Sequence, residues 1–300
     1  MKKKALIEKT AAIMFLMCAV VAIFAVCAIT LYMFLKGTPA LKEVGVSELL
    51  FGTTWKPTAS SPSFGIAYII LTSIVGTGAA ILIGVPIGLF TAVFLSEMAG
   101  KRLGAVTGSA VELLAAIPSV IYGLIGMMVL NPIMFKMEKM LFAENSAHQF
   151  TGGANMLSAI IVLAIMILPT VISVSTSSLK AVPDNLRAAS LALGATKEQT
   201  ICKTVIPAAR SGILMGVVLG IGRALGEAMA INMVAGGAVN IPLPFHAVRT
   251  LTTQIVSEMG YASGTHRQVL FTVGLVLYIF IMIVNFALLK ARKRGFEYGN

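Results

Sequence analysis

Hydrophobic residues form six long runs along this chain, separated by polar segments that contain most of the charges. Each run is long enough to cross about 30 Å of hydrocarbon as a helix that rises about 1.5 Å per residue. A helix is expected because lipid offers the backbone no hydrogen-bonding partner, so each segment must bond to itself. The runs are residues 11–35, 66–95, 111–130, 156–179, 208–236 and 269–289. The sequence therefore predicts an all-α, polytopic membrane protein of about six transmembrane helices.

The composition agrees with a membrane protein and excludes several other classes. Hydrophobic residues make up 57% of the 300 residues and charged residues only 12%, about half the charged share of a soluble domain. The net charge is +11, but Lys and Arg flank the apolar runs instead of clustering with aromatic residues, so we expect no nucleic-acid partner. The three cysteines and three histidines show neither a disulfide framework nor a metal-ligand spacing. We therefore expect no metal and no other cofactor.

The distribution of Lys and Arg predicts the orientation of the spans. The first run follows four lysines but is too long for the apolar part of a signal peptide, which favours an uncleaved anchor. With the N-terminus in the cytoplasm, 15 of the 23 basic residues lie in inner segments, seven lie in outer loops, and Arg223 lies within a span. The positive-inside rule then places both termini in the cytoplasm. Loops 36–65, 131–155 and 237–267 are expected outside the cytoplasmic membrane.

Small residues and prolines within the runs suggest how the helices pack. Glycines four residues apart allow close helix approach in lipid, where hydrophobicity does not drive helix association. Prolines within spans remove backbone donors and produce kinks. The glycine sets are Gly84/Gly88, Gly212/Gly216/Gly220 and Gly222/Gly226, and the prolines are Pro86, Pro118 and Pro169.

The polar segment 183–207, between the fourth and fifth runs, predicts two short helices. Residues 186–193 are rich in Ala and Leu and favour a helix. Gly194 can adopt a positive φ angle and end that helix, and Thr196 is suited to the N-cap of the next one. We therefore expect a compact two-helix knob on the cytoplasmic side.

The same segment, PDNLRAASLALGATKEQTICKTVIP, resembles the EAA loop of ABC importer permeases. That pattern is Glu-Ala-Ala, three residues, Gly, then nine residues before Ile-x-Leu-Pro. The matched positions are Ala188, Ala189, Ser190, Gly194, Thr204, Ile206 and Pro207. This sequence departs from the pattern at Ala188 in place of Glu, Ser190 in place of Ala and Thr204 in place of Ile.

In that family the loop docks in a cleft of an ATPase subunit and transmits its closure. The resemblance implies an ATPase-coupling role for Ala188, Ala189, Gly194, Ala195 and Pro207. The alternative interpretation of the segment is an ordinary amphipathic connector. No G-x-x-x-x-G-K-[ST] motif is present in the sequence, so the resemblance implies ATP hydrolysis on a separate subunit and a chain that is not itself an enzyme.

Three further stretches resemble the phosphate-specific importer, and its PstC family more than its PstA family. They are residues 64–66 (FGI), 114–123 (LAAIPSVIYG) and 222–236 (GRALGEAMAINMVAG). The resemblance extends from the first span to the last and implies an ABC importer type I permease fold. It also implies a PstA-like second permease, two PstB-like ATPase subunits and a PstS-like phosphate-binding protein. Residues 1–300 are then one transmembrane permease domain, with its core at about 66–290.

Arg223 and Glu227 are the candidate residues of a substrate pathway. They are four apart and are expected on one helix face of the fifth span. A charged residue at the bilayer centre costs about 2.5–3.5 kcal/mol, so both should face protein or a water-filled path. A guanidinium matches two phosphate oxygens at once. The alternative is a salt bridge within the helix that serves packing only.

Other features leave alternatives open. Glu112, expected near the inner end of the third span, contacts interfacial water, caps a neighbouring helix or lines the substrate path. The hydroxyl-rich run 170–178 either lines a polar path or bonds to its own helix backbone. The rival functions are a permease for another oxyanion such as phosphonate or molybdate, an ion-gradient-driven transporter and a membrane-embedded enzyme. The last two lack support because the sequence shows no internal repeat and no His, Asp or Cys constellation at membrane depth.

Overall fold

The computed structural model describes residues 2–144 and 148–297, and most of their backbone is helical. In chain order the helices are α1 (Lys2–Glu43), α2 (Val46–Phe51), α3 (Ala67–Val93), α4 (Lys101–Ala116), α5 (Ser119–Ile125), α6 (Asn131–Leu141), α7 (Met156–Lys180), α8 (Asp184–Ala192), α9 (Lys197–Thr200), α10 (Ile206–Gly226), α11 (Met229–Val234), α12 (Leu251–Glu258) and α13 (Gly264–Glu297). A two-stranded antiparallel hairpin, β1 (Trp55–Lys56) and β2 (Ser63–Phe64), lies between α2 and α3.

Six helical segments of the described chain are long and apolar enough to cross a membrane. They are Glu8–Glu43, Ala67–Met98, Ser119–Leu141, Met156–Lys180, Lys197–Gly226 and Gly264–Ala287. The expected all-α architecture with six spans is therefore confirmed. Three of these spans include a π-helical turn, at Phe94–Met98, Gly126–Leu130 and Ile201–Val205. Such turns interrupt the regular α-helical bonding and occur often at functional sites.

Helix α7 is the centre of the bundle, and α3 and α10 pack against its two sides. A Cβ atom at Gly84 would lie 2.7 Å from Ile167, and one at Gly212 would lie 2.1 Å from the Ser178 hydroxyl. Only a residue without a side chain permits these approaches. The expected packing role of the first two glycine sets is therefore confirmed. Around Gly222 and Gly226, in contrast, no described atom would lie within 4 Å of an added Cβ.

The third span begins later than the sequence predicted. Residues 111–116 belong to the separate helix α4, and the span starts at Ser119. Proline lacks a backbone N–H and disfavours helical geometry in the residue before it. Ile117, which precedes Pro118, is accordingly extended, with φ −67° and ψ 126°. The span then continues through α6 to Leu141, so the first part of the predicted loop 131–155 is helical.

The fifth span ends ten residues before the end of the predicted run 208–236. Helix α10 stops at Gly226, and Glu227 is extended, with φ −74° and ψ 126°. The short helix α11 then starts at Met229. We call Gly226, Glu227 and Ala228 the α10–α11 junction. The expectation that Arg223 and Glu227 share one helix face is therefore wrong, because only Arg223 lies within α10.

Candidate functional site

The segment 183–207 forms the two-helix knob that the sequence predicted. Gly194 follows α8 with φ +85°, and no atom would lie within 4 Å of a Cβ added there. Glycine is therefore required by the backbone conformation rather than by crowding. The Thr196 hydroxyl accepts a hydrogen bond from the Gln199 N–H at 3.2 Å, and the Gln199 side chain accepts one from the Thr196 N–H at 3.1 Å. This reciprocal capping box starts α9, so the predicted N-cap is confirmed.

Several apolar side chains are exposed on the surface of the knob. Leu193 is 89% exposed, and Leu186 and Leu191 are also exposed. Ala188 and Ala189 are exposed on α8, whereas Ala195 is half-buried. Exposed apolar side chains grouped on one projection are typical of a protein–protein contact.

The two central departures from the EAA pattern contact one another. The hydroxyls of Ser190 and Thr204 are 3.4 Å apart, and the hydroxyls of Ser190 and Thr200 are 3.0 Å apart. Where the resembled pattern has apolar Ala and Ile, this chain has a hydrogen-bonded pair. The pair fastens α8 to the π-helical turn that leads into α10. Pro207 follows the π-helical turn directly, in the first turn of α10, and has no backbone N–H to donate.

Sequence reasoning did not identify the contact that holds the knob to the bundle. Arg187 of α8 bonds to both carboxylate oxygens of Glu97, at 2.8 and 3.3 Å. Glu97 lies in the π-helical turn at the end of α3. The two residues are 90 positions apart, and only the presence of a carboxylate at the end of an apolar run pointed towards Glu97. The hydrogen bond to Glu97 raises the pKa of Arg187 above its ordinary value.

Arg223 lies half-buried in the last turn of α10. Within the residues that the structure describes, its guanidinium has no hydrogen bond or ion pair. Arg223 lies one turn before the α10–α11 junction. In α5, the Tyr122 hydroxyl donates to the Leu114 carbonyl at 2.8 Å, across the interruption between α4 and α5.

Glu227 organises the α10–α11 junction with both its side chain and its backbone. Its carboxylate accepts a hydrogen bond from the Ala230 N–H at 2.9 Å. Its carbonyl accepts one from the Thr252 hydroxyl at 2.7 Å. No ion pair joins it to Arg223 among the described side chains, so the salt bridge within the helix that the sequence left open is not formed.

Two of the sequence stretches that resemble the PstC family, residues 114–123 and 222–236, pack against each other. A Cβ atom at Gly123 in α5 would lie 2.8 Å from the Cα atom of Ala230 in α11. The helix that follows Pro118 and the helix that follows the α10–α11 junction therefore pack against each other in the bundle.

The other candidates are less closely tied to this region. Glu112 is exposed on α4 and not within the third span. Ser178 donates to the Val174 carbonyl of its own helix at 2.7 Å. The Ser175 and Thr176 hydroxyls are buried without a hydrogen-bond partner among the described residues. Across residues 2–144 and 148–297, no group of three or more His, Cys, Asp or Glu side chains is arranged to hold a metal ion.

A second charged cluster lies at the opposite end of the bundle from the knob. The buried Glu258 accepts hydrogen bonds from Trp55 at 3.0 Å and from Arg249, and its carboxylate lies 2.7 Å from His266. These contacts join the hairpin to α12 and α13. Burial and the negative charge of Glu258 raise the pKa of Tyr261 beside this cluster.

Comparison with known proteins assigns the chain to a class. Residues 84–296 match the family described as the binding-protein-dependent transport system inner membrane component. This match covers more than half of the chain, so the protein belongs to that family of multi-pass membrane transport subunits.

The names of individual relatives agree with this class, and the alignments cover at least 80% of each relative. A probable ABC transporter permease protein, YqgH of Bacillus subtilis, is 37% identical over 286 residues, which cover 92% of this chain and 89% of that protein. The phosphate transport system permease protein PstC of Xylella fastidiosa is 35% identical over 301 residues, covering 95% and 90%. PstC of Haemophilus influenzae is 33% identical over 255 residues, covering 82% and 80%.

Solved structures confirm the ABC importer type I permease fold. The inward-facing methionine ABC transporter MetNI aligns with a TM-score of 0.56 at 22% identity, over 75% of this chain and 93% of that chain. A bacterial alginate ABC transporter, solved with an alginate-bound periplasmic protein, aligns with a TM-score of 0.58 at 15% identity, over 89% and 92%.

Proposed function

We propose that this chain is a PstC-like permease subunit of an ATP-driven importer that moves inorganic phosphate across the cytoplasmic membrane by alternating access. The observation that carries the proposal is Arg223, a cation one turn before the break in the fifth span that has no hydrogen bond or ion pair among the described residues. Its membrane position would be costly without a polar ligand or water. The relatives named as phosphate permeases support phosphate as that ligand.

In this proposal, Arg223 and Glu227 have different roles in the substrate pathway. The planar guanidinium of Arg223 binds two phosphate oxygens at once and so attracts the anion. Glu227 limits how tightly the anion is held, because a lone cation would release it slowly. Glu227 also accepts a hydrogen bond from the proton that phosphate retains near neutral pH and that sulfate lacks. The pathway is completed by a PstA-like second permease.

The knob is the proposed contact with the energy source. Leu193 and its exposed neighbours dock against a PstB-like ATPase, of which the complex holds two copies. Ala188, Ala189, Gly194, Ala195 and Pro207 keep the knob in its docking shape. A PstS-like binding protein delivers phosphate on the opposite face. This chain performs no covalent chemistry, since ATP is hydrolysed on the separate ATPase subunits.

The proposed assembly uses the whole chain as one membrane domain. Residues 1–300 form a single permease domain with its core at about 66–290, and the coupling segment is 183–207. Both termini lie in the cytoplasm, as the excess of basic residues on that side indicates.

The function is tested by transport of defined anions. The complete complex is reconstituted in vesicles with the binding protein, and uptake of labelled phosphate is measured with sulfate, molybdate or a phosphonate as competitor. We expect ATP-dependent phosphate uptake that sulfate and molybdate do not inhibit. Preferential uptake of molybdate or a phosphonate would replace phosphate as the assigned substrate.

The orientation is tested by labelling with an impermeant thiol reagent. Cys18, Cys27 and Cys202 are first replaced by serine, and single cysteines are then placed at Ser61 or Gln199, both exposed. In intact cells we expect Ser61→Cys to be labelled and Gln199→Cys to stay unlabelled until the membrane is opened. The reverse pattern would place both termini outside.

A further inference from the structure

One guanidinium joins three elements where the knob meets the bundle. Besides its two bonds to Glu97, Arg187 donates to the Leu179 carbonyl at 2.9 Å and to the Val182 carbonyl. These carbonyls lie at the end of α7 and in the turn after it, Arg187 lies on α8, and Glu97 lies in the π-helical turn after α3. We call this set of contacts the Arg187 clamp.

The clamp has the features of a stiff connection. Its two hydrogen bonds to one carboxylate fix both the distance and the plane of the guanidinium. Only 20% of the Arg187 side chain and 8% of the Glu97 side chain are exposed, so salt screens the pair less than a surface pair. The carbonyls at the end of α7 also favour a cation there. Arg187 forms one further ion pair, to Asp184, whose side chain is 99% exposed. Such an exposed pair contributes little to stability.

The position of the clamp decides which helices follow the knob when it moves. The knob is covalently continuous with α7 before it and with α10 after it. Helix α3 has no such continuity, because it is separated from the knob by more than 80 residues. Arg187 and Glu97 connect the knob directly to the end of α3, and α3 is packed on α7 along its length through Gly84 and Gly88.

We propose that Arg187 and Glu97 are positioning residues that transmit displacement of the knob to α3, so that α3, α7 and α10 move together. The proposal rests on the proposed function, because it assumes that the knob docks on an ATPase. Neither residue contacts the substrate. Without the clamp, the knob still docks through Leu191 and Leu193, but its movement reaches α3 only indirectly, through the packing of α3 on α7.

The test compares ATP hydrolysis with phosphate uptake in the complete reconstituted complex, both normalised to assembled complex. The variants are Glu97→Gln, Arg187→Gln and the double variant, with Asp184→Asn as a matched control that leaves the clamp intact. We expect uptake to fall more than hydrolysis, so that the ATP used per phosphate rises at least about fivefold, which corresponds to a coupling change of about 1 kcal/mol. The double variant should be no worse than the more severe single variant, since both changes remove one contact.

Arg187→Lys is the variant expected to impair assembly least, because it keeps the positive charge and removes only the two parallel hydrogen bonds. It should give an intermediate value of ATP used per phosphate. The clamp is refuted if the ratio stays at the wild-type value, or if uptake and hydrolysis fall together. Absence of phosphate uptake by the wild-type complex would instead refute the proposed function, and the same ratio would then be measured with whichever of molybdate or phosphonate is imported.

Discussion

The knob and the α10–α11 junction both interrupt a helix, but for different physical reasons. In the knob, Gly194 has φ +85° and the capping box of Thr196 and Gln199 starts the next helix. All of these contacts lie within a few residues. At the junction, Gly226 does not adopt a positive φ angle. There Glu227 lies outside the helix. Its carboxylate accepts from the Ala230 N–H, and its carbonyl accepts from the hydroxyl of Thr252, 25 residues away.

Because of this difference, the knob and the α10–α11 junction should respond differently to substitution. The knob is built from local conformational preferences, so a change of backbone preference should disrupt its shape and leave the membrane bundle intact. The junction depends on charge and on contacts between distant segments. Substitutions there should separate an effect on transport from an effect on assembly.

The largest effect is expected at Arg223. Arg223→Gln should reduce phosphate uptake by at least about 100-fold, because losing a charged hydrogen-bonding partner of an ion costs several kcal/mol in a site of low polarity. Arg223→Lys should restore only part of the uptake, since an ammonium lacks the planar fork. Uptake and the yield of assembled complex are measured side by side in vesicles.

The control for Arg223 is Arg267→Lys, a change at an exposed arginine near the start of α13. It should transport like the unmodified protein. If uptake in the Arg223 variants falls only in proportion to assembled complex, the residue serves packing and not the pathway.

The next effect is expected at Gly194. Gly194→Val forces a β-branched side chain into a positive φ angle, at a cost of about 1–2 kcal/mol or more. We expect loss of phosphate-stimulated ATP hydrolysis while the protein remains inserted in the membrane. Gly45→Val is the matched control, because Gly45 has φ +88° and open space around it but lies outside the knob. Normal stimulated hydrolysis in Gly194→Val would contradict the docking role of the knob.

The smallest effect is expected at Glu227, where two substitutions distinguish charge from structure. Glu227→Gln keeps an oxygen acceptor for the Ala230 N–H, so the thermal stability of the complex should change little while turnover falls. Glu227→Ala removes that acceptor and leaves a buried N–H unpaired, which should cost about 1–3 kcal/mol of stability. Thermal unfolding and uptake are measured for both. Equal losses of stability in the two variants would assign Glu227 a packing role only.

Sequence reasoning succeeded where structure depends on neighbouring residues. The six apolar runs predicted the six spans, and the knob was predicted down to its glycine and its N-cap. It was wrong at the third span, where the apolar run concealed the interruption that Pro118 produces, and at the fifth, where it extended the helix past Gly226. Hydrophobicity reports that a residue is in the membrane and not whether the helix around it is continuous.

The sequence by itself determined the class, the number of spans and the conformation of the knob, because apolar length, glycine conformation and capping act over a few residues. Only the tertiary structure decided that the Glu227 carbonyl receives the Thr252 hydroxyl and that Arg187 binds Glu97. These contacts join segments far apart in the chain. Their existence depends on how α3, α7 and α10 pack, and no local pattern specifies which distant charged residue a packed helix brings into reach.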